Sequence, residues 1–274
     1  MKYDILIIDG PYLAHRSYTA PYKLTTLEGK DSTMIHTFFN SILSMNKKHQ
    51  PKEIVVAWES HGTPSWRREL SPSYKPSKGV NESFIEQLND IKRFLHIIGI
   101  RQFYAPNNEA DDTIATLTKN TNKSLLIFTI DKDIMQLTSD IAQHHILCNK
   151  TILTEEDIID KFNVYPYQIP DYLALVGDTA DNIEGIKGIG KKKASQILKE
   201  HGSILVTEPT VFKKDSDLDK AKFNRRLTQL NYDANVQLLF DDISLNTTID
   251  DILNKYELLS LKKRKEELKN LKKE

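Results

Sequence analysis

Ser124-Leu125-Leu126-Ile127-Phe128-Thr129, followed at once by Ile130-Asp131-Lys132-Asp133, sets how the rest of the chain is read. A short apolar run ends, and two carboxylates stand just past its end. The same arrangement occurs in Ile5-Leu6-Ile7-Ile8 before Asp9, and in Ile54-Val55-Val56-Ala57-Trp58 before Glu59. Runs of this kind predict strands at residues 3–8, 53–58, 100–104, 124–129 and 141–148. Between them, residues 32–47 and 82–98 carry apolar side chains at helical spacing, and Asn108 is placed to cap a helix beginning at Glu109. Strands alternating with helices predict an α/β fold with a mainly parallel sheet flanked by helices. From Thr154 onward the pattern turns all-helical, with Pro166 and Pro170 separating one helix from the next.

The 274 residues suit one large or two small domains. With 39% hydrophobic residues and 28% charged ones, the chain can bury a core, which excludes wholesale disorder and collagen-like repeats. Lys and Arg number 38, as do Asp and Glu, so only the spatial sorting of the charges can say whether a polyanion binds. No apolar run reaches bilayer-spanning length, and the N-terminus lacks a signal peptide's apolar core, so a cytoplasmic protein is expected. The single cysteine, Cys148, has no disulfide or zinc-finger partner, and no histidine shows ligand spacing.

In a parallel sheet the strand ends that carry Asp9, Glu59, Asp131 and Asp133 gather on one edge. Glu109-Ala110-Asp111-Asp112 at a helix start and Gly177-Asp178-Thr179-Ala180-Asp181-Asn182 add more acids. Taken singly, most of these have plainer explanations as caps, turns or favourable charges at a helix N-terminus. Taken together, Asp9, Glu59, Glu109, Asp111, Asp112, Asp131, Asp133, Asp178 and Asp181 would repel one another strongly without cations. Hard divalent ions such as Mg²⁺ or Mn²⁺ take oxygen ligands and relieve that repulsion. A pair of them about 3.5–4 Å apart activates water for phosphodiester hydrolysis.

Gly185-Ile186-Lys187-Gly188-Ile189-Gly190, followed by Lys191, Lys192 and Lys193, reads as a tight turn opening a helix. Such a turn lets backbone amides and lysines approach phosphates. It lacks the lysine-then-serine or threonine ending of a nucleotide P-loop, and no parallel strand precedes it as in a dinucleotide site. Sequence-independent contact with a nucleic-acid backbone fits better than a plain helical hairpin with a solvated lysine face. Residues 60–80 read as a mobile, positively charged loop. There Arg67, Arg68, Tyr74 and Lys75 mix aromatic and basic character suited to stacking on bases and clamping phosphates, while Trp66 reads as a buried anchor. Arg16 follows Asp9 closely enough to face the same site. The tail, residues 260–274, carries seven basic and three acidic residues and is expected to be a solvated helix or a frayed end.

These motifs, in this order over residues 2–245, resemble the 5′-nucleases of the flap endonuclease family, in the form made by phages and by the N-terminal domain of bacterial DNA polymerase I. The resemblance implies a PIN-like nuclease domain over residues 1–153, with an arch around 60–98. A helical DNA-binding region over 154–274 would follow, with a helix-three-turn-helix around 170–201 that grips duplex DNA and holds K⁺ through backbone carbonyls. It implies that Asp9, Glu109, Asp111 and Asp112 serve a first metal, and Asp131, Asp133, Asp178 and Asp181 a second. Tyr74, Lys75 and Lys78 align with the family's Tyr-Lys-x-x-Arg, and Arg16 with an arginine after the first strand, so Lys75, Arg16 and Lys78 are the expected catalytic cations. Two departures stand out. Lys78 replaces an arginine, keeping charge but losing bidentate geometry. Glu59 is the nearest acid where the family has aspartate, and its longer arm shifts metal geometry or works through water.

The resemblance therefore implies a Mg²⁺-dependent (or Mn²⁺-dependent) two-metal 5′→3′ exonuclease and flap endonuclease of replication or repair. Expected substrates are branched or nicked duplex DNA, 5′ flaps and RNA primers on DNA. A free-standing monomeric enzyme is expected, with a replication protein as a further partner for the tail. The rival readings are a DNA-structure binding protein that has lost turnover, and a PIN-type ribonuclease acting on single-stranded RNA.

Overall fold

The computed structural model describes residues 2–60, 63–75, 79, 81–240 and 246–271. Its central sheet has seven strands in the order β6-β5-β4-β1-β2-β3-β9. These are β1 (Ile5–Asp9), β2 (Glu53–Trp58), β3 (Arg101–Tyr104), β4 (Leu125–Phe128), β5 (His144–Cys148), β6 (Thr151–Leu153) and β9 (Gln237–Leu238). The five inner strands are parallel: Ile5 lies opposite both Glu53 and Leu125, Val55 opposite Arg101, and Leu125 opposite His144. The two outermost strands, β6 and β9, run antiparallel to their neighbours. The expected strands are present with trimmed ends. The exclusively helical reading of the second half is corrected by β9 and by a short antiparallel ribbon, β7 (Gly177–Asp178) with β8 (Ile183–Glu184). Strands of two residues carry too little periodicity to be read from sequence.

Successive strand residues feed opposite faces, as a doubly covered sheet requires. Leu6, Ile8, Ile54, Val56 and Trp58 pack with helices α1 (Gly10–Tyr18), α2 (Thr33–His49) and α4 (Glu82–Ile97). Ile7, Val55, Ala57 and Ile127 pack on the other face with α5 (Ala110–Lys119), Ile134 and Leu137. Glu109 occupies the N-cap of α5, correcting the placement of the cap at Asn108. Asn108 instead donates to the Pro106 carbonyl and accepts from Asn231.

A separate apolar cluster organises the helical second half. Tyr172 and Leu173 of α7 (Ile169–Val176), Ile197 and Leu198 of α8 (Lys191–His201), and Leu218 and Ala221 of α9 (Asp215–Thr228) join Ile158 of α6 (Glu155–Phe162). Two other parts of the chain are better packed than expected. Within residues 63–75, helix α3 (Trp66–Leu70) buries Arg67, and Tyr74 is buried beside Ile183 and Leu227. The C-terminal helices α10 (Ile249–Lys255), α11 (Leu259–Lys262) and α12 (Lys265–Lys269) return to the first face of the sheet. There Leu261, Leu268 and Leu271 are buried in the main core, which corrects the reading of the tail as solvated or frayed. Its lysines dominate its composition, but leucines at positions 261, 268 and 271 decide its packing. Among the described residues no helix is long and apolar enough to cross a membrane.

Candidate active site

The chain reverses direction across the sheet at β1, which is flanked by β4 on one side and β2 on the other. The crevice at the carboxyl ends of such strands is where open α/β sheets place their chemistry. Asp9 ends β1 and caps α1: its Oδ1 accepts from the Tyr12 amide at 3.0 Å and its Oδ2 from the Thr129 hydroxyl at 2.7 Å. Beyond β4, the Asp131 amide donates to Thr129 Oγ1 at 3.1 Å, and Asp131 Oδ1 accepts from the Asp133 amide at 2.9 Å. Thr129, which the sequence reading did not single out, thus ties the first strand's carboxylate to the Asp131–Asp133 turn. Its only signal in sequence was a hydroxyl at the end of an apolar run.

Helix α5 brings Glu109 and Asp111 to the same place. Glu109 Oε1 accepts from Ser65 at 3.1 Å, while its Oε2 accepts from Tyr74 at 3.2 Å and Lys75 Nζ at 3.1 Å. The β7–β8 ribbon brings Asp178 and Asp181. Asp178 Oδ1 accepts from the Ala180 amide at 2.9 Å, and its Oδ2 pairs with Lys132. Asp181 Oδ2 accepts from the Tyr74 hydroxyl at 3.1 Å, and Lys75 Nζ stands 3.8 Å from its Oδ1.

The electrostatics mark these acids as one cluster. Burial, and then the charge of Asp131, push Asp9 up to about 6. The same two causes, in the same order, hold Asp111 and Asp133 well above the usual carboxylate range. Burial raises Asp181 as well, with Lys75 opposing it. Asp131 is the common neighbour of all four. The Lys75 ammonium is held above its ordinary value because Glu109, Asp111, Asp181 and Asp131 outweigh the effect of its burial.

Three expected roles do not match the geometry. Asp112 is fully buried and accepts five hydrogen bonds: two from Arg67, and one each from Trp66 Nε1, the Asn231 amide and the Glu109 amide. A carboxylate so saturated has no lone pair directed at the crevice. Arg67, expected to face DNA, is 1% exposed and forms a fork to Asp112 at 2.6 and 2.8 Å while donating to the Leu227 and Gln229 carbonyls. Tyr74, expected to stack on a base, is equally buried, with its hydroxyl shared between Glu109 and Asp181.

The remaining residues lie around the rim. Glu59 is exposed and lines a cavity of about 740 Å³ together with His15, Arg68, Lys75 and Glu109. Arg68 donates to the Lys75 carbonyl. Arg16 is exposed, lies over the Phe128 ring at 5.5 Å and donates to the Tyr12 hydroxyl at 3.4 Å. Lys78 lies outside the described residues. In the glycine-rich turn, Ile186 and Ile189 are buried in the helical cluster, whereas Lys187, Gly188, Gly190, Lys191, Lys192 and Lys193 are exposed. Gly177 has φ of +86°, and a Cβ on Gly185 would meet the Val176 carbonyl oxygen at 2.2 Å, so these two glycines let the β7–β8 ribbon close on α7.

A divalent cation fits the chemistry of this donor set. Asp133 Oδ1 is buried without a hydrogen-bond partner, a hard oxygen left unsatisfied among other buried carboxylates. Among the described residues no three carboxylate, imidazole or thiol side chains yet close around one point as a metal shell. The counter-charge inside the cluster comes instead from Lys75 and Lys132.

Comparison with known proteins shows the family. Residues 4–163 match the N-terminal resolvase-like domain of 5′-3′ exonucleases, and residues 164–251 their C-terminal SAM fold. The chain is 32% identical to a 5′-3′ exonuclease of Aquifex aeolicus over 88% of its own length and 86% of the relative's. It is 37% identical to a thermostable DNA polymerase I of Thermus thermophilus over 74% of its length, but spans only 25% of that protein. Among solved structures, T5 5′-exonuclease with bound zinc is similar with a TM-score of 0.67 and 20% identity, over 83% of this chain and 89% of that one. Flap endonuclease-1 of Methanococcus jannaschii is similar with a TM-score of 0.62 and 15% identity, over 98% and 93%. With both domain models matched in order over nearly the whole chain, the protein belongs to the 5′-3′ exonuclease family and is a nuclease that hydrolyses phosphodiester bonds.

Proposed function

We propose that the crevice holds two Mg²⁺ (or Mn²⁺) ions and cuts 5′ flaps, nicked or branched duplex DNA and RNA primers annealed to DNA, exonucleolytically and at junctions. The observation that carries this reading is the buried cluster of Asp9, Asp111, Asp133 and Asp181 gathered around Asp131, these four raised in pKa by burial and by the charge of Asp131, with Asp133 Oδ1 unsatisfied. Asp9, Glu109 and Asp111 would hold one ion, and Asp131, Asp133, Asp178 and Asp181 the other. Glu59 would reach them through water. Bound there, divalent ions activate water and stabilise the leaving oxygen.

The chain's own residues do the rest. Thr129 fixes the rotamer of Asp9, and Arg67 fixes Asp112, which in turn pins the amides of Glu109 and Asn231. Lys75 lies within reach of the same carboxylates and would meet the growing negative charge on the phosphate, with Arg16 and Lys78 as further cations. The exposed lysines and amides of the 185–193 turn would grip the duplex backbone, with K⁺ on its carbonyl oxygens. The working form would be a monomer, with a replication protein as a further partner.

The test is cleavage of a 5′-flap duplex in Mg²⁺ and in EDTA, beside a single-stranded RNA of equal length. Cutting of the flap in Mg²⁺ alone is the expected result. Tight flap binding without cutting would indicate a binding module, and preferential RNA cleavage a ribonuclease.

A further inference from the structure

Lys132 lies between Asp131 and Asp133 in the chain, yet its ammonium reaches a third carboxylate, Asp178, on the β7–β8 ribbon. Two kinds of cation serve this cluster. Arg67 is 1% exposed, held by carbonyls as well as by Asp112, and is a fixed part of the fold. The side chains of Lys132 and Lys75 are 42% and 41% exposed, while their partners Asp178 and Glu109 are 6% and 12% exposed. These are point charges on flexible stems, reaching from water onto buried acids. Buried carboxylates without counter-charge are strongly destabilising, so something must neutralise them before any metal arrives. Asp178 uses one oxygen for the Ala180 amide, and its other oxygen faces Lys132.

We propose that Lys132 is a tethered counter-ion: its ammonium neutralises Asp178 in the metal-free protein, and an entering divalent cation displaces it into solvent. The proposal rests on the metal-site reading given above. Because the ammonium competes for the same carboxylate oxygen, divalent affinity is set lower than the carboxylates alone would allow. It also predicts that the second group of acids keeps its arrangement before loading, since the ion pair links the Asp131–Asp133 turn to the ribbon.

The test uses the full chain, stripped with EDTA and free of DNA, as parent, Lys132→Met and Lys132→Arg. Mn²⁺ binding is followed by titration calorimetry, and thermal midpoints are recorded with and without Mn²⁺. Displacing a half-exposed ion pair is a modest cost, so K132M should bind Mn²⁺ about fivefold more tightly than the parent. Its midpoint should fall below the parent's in EDTA and recover in saturating Mn²⁺, while K132R stays close to the parent in both respects. Lys132→Gln serves as a second neutral variant should K132M fail to fold. Equal or weaker Mn²⁺ binding by the neutral variants, with the parent binding normally, overturns the counter-ion proposal alone. No Mn²⁺ binding by any form, parent included, overturns the metal-site reading together with it.

Discussion

Asp112 and Arg67 sit beside the carboxylate cluster, but their geometry is that of a buried structural pair. Removing one partner leaves a charge in the interior with nothing to offset it, so Arg67→Met should cost about 3–5 kcal/mol in urea unfolding. Asp9→Asn removes a carboxylate whose ionisation is disfavoured by burial and by Asp131, so in EDTA at neutral pH its unfolding midpoint should lie at or above the parent's, while flap cleavage falls at least about a hundredfold. The raised carboxyls give a pH dependence whose sign can be worked out. Asp9 titrates near 6 when folded and at an ordinary carboxyl value near 4 when unfolded, so between those values the folded chain holds more protons. Stability of the EDTA-stripped protein should therefore fall as pH rises from about 4 to about 6.5, by several degrees in thermal midpoint. Saturating Mg²⁺ should flatten or reverse that slope, because metal ligation favours the deprotonated carboxylates. A thermal scan from pH 4.5 to 7.5 with and without Mg²⁺ decides it, and a flat profile in EDTA would refute the protonation argument.

At the scale of elements, the C-terminal helices are more than a basic tail. Lys255 and Tyr256 both bond Asp90 of α4, at 2.5 and 2.9 Å, and Leu261, Leu268 and Leu271 complete the core against α2 and α4. Ending the chain before Leu259 should therefore lower the unfolding free energy by about 2–4 kcal/mol, after the ordering cost of the segment is offset against its buried leucines. Duplex affinity should stay near the parent's, since Arg264, Lys265 and Lys269 already pair with Glu267, Asp250 and Glu266. What the sequence made legible follows the same division. Ile5–Asp9, Glu53–Trp58 and Leu125–Phe128 could be read because an apolar run with an acid past its end is a local signal. The β7–β8 ribbon, β9 and the folding-back of residues 63–75 depend on partners far away in the chain and leave no periodic mark. Arg67 and Tyr74 were read as DNA-facing because aromatic and basic residues look alike from sequence whether they meet a phosphate or a buried carboxylate. Only burial distinguishes the two cases.

Across the whole molecule, one short hairpin joins the carboxylate cluster to the proposed duplex grip. The β7–β8 ribbon and its turn carry Asp178 and Asp181 to the carboxylate cluster, and the chain leaves β8 directly into Gly185-Ile186-Lys187-Gly188-Ile189-Gly190 and the lysines of α8. Ile186 and Ile189 anchor that turn in the second core while its lysines stay in water. The proposed cutting site and duplex grip are thus held in fixed relation by backbone that leaves no room for a side chain at Gly177 or Gly185. Neutralising Lys191, Lys192 and Lys193 together as glutamines should weaken duplex binding equally for every sequence. It should also reduce the slope of log affinity against log salt by about 2–3, since each DNA phosphate that a lysine neutralises adds about 0.9 to that slope. Cleavage at saturating DNA should change far less, because no residue of the carboxylate cluster is altered. Fluorescence anisotropy of a labelled duplex in Ca²⁺ across a salt series, paired with single-turnover cleavage in Mg²⁺, separates the two effects. An unchanged salt slope would move the duplex grip away from the glycine-rich turn. A cleavage rate that fell as far as the affinity would show that these lysines also position the scissile phosphate.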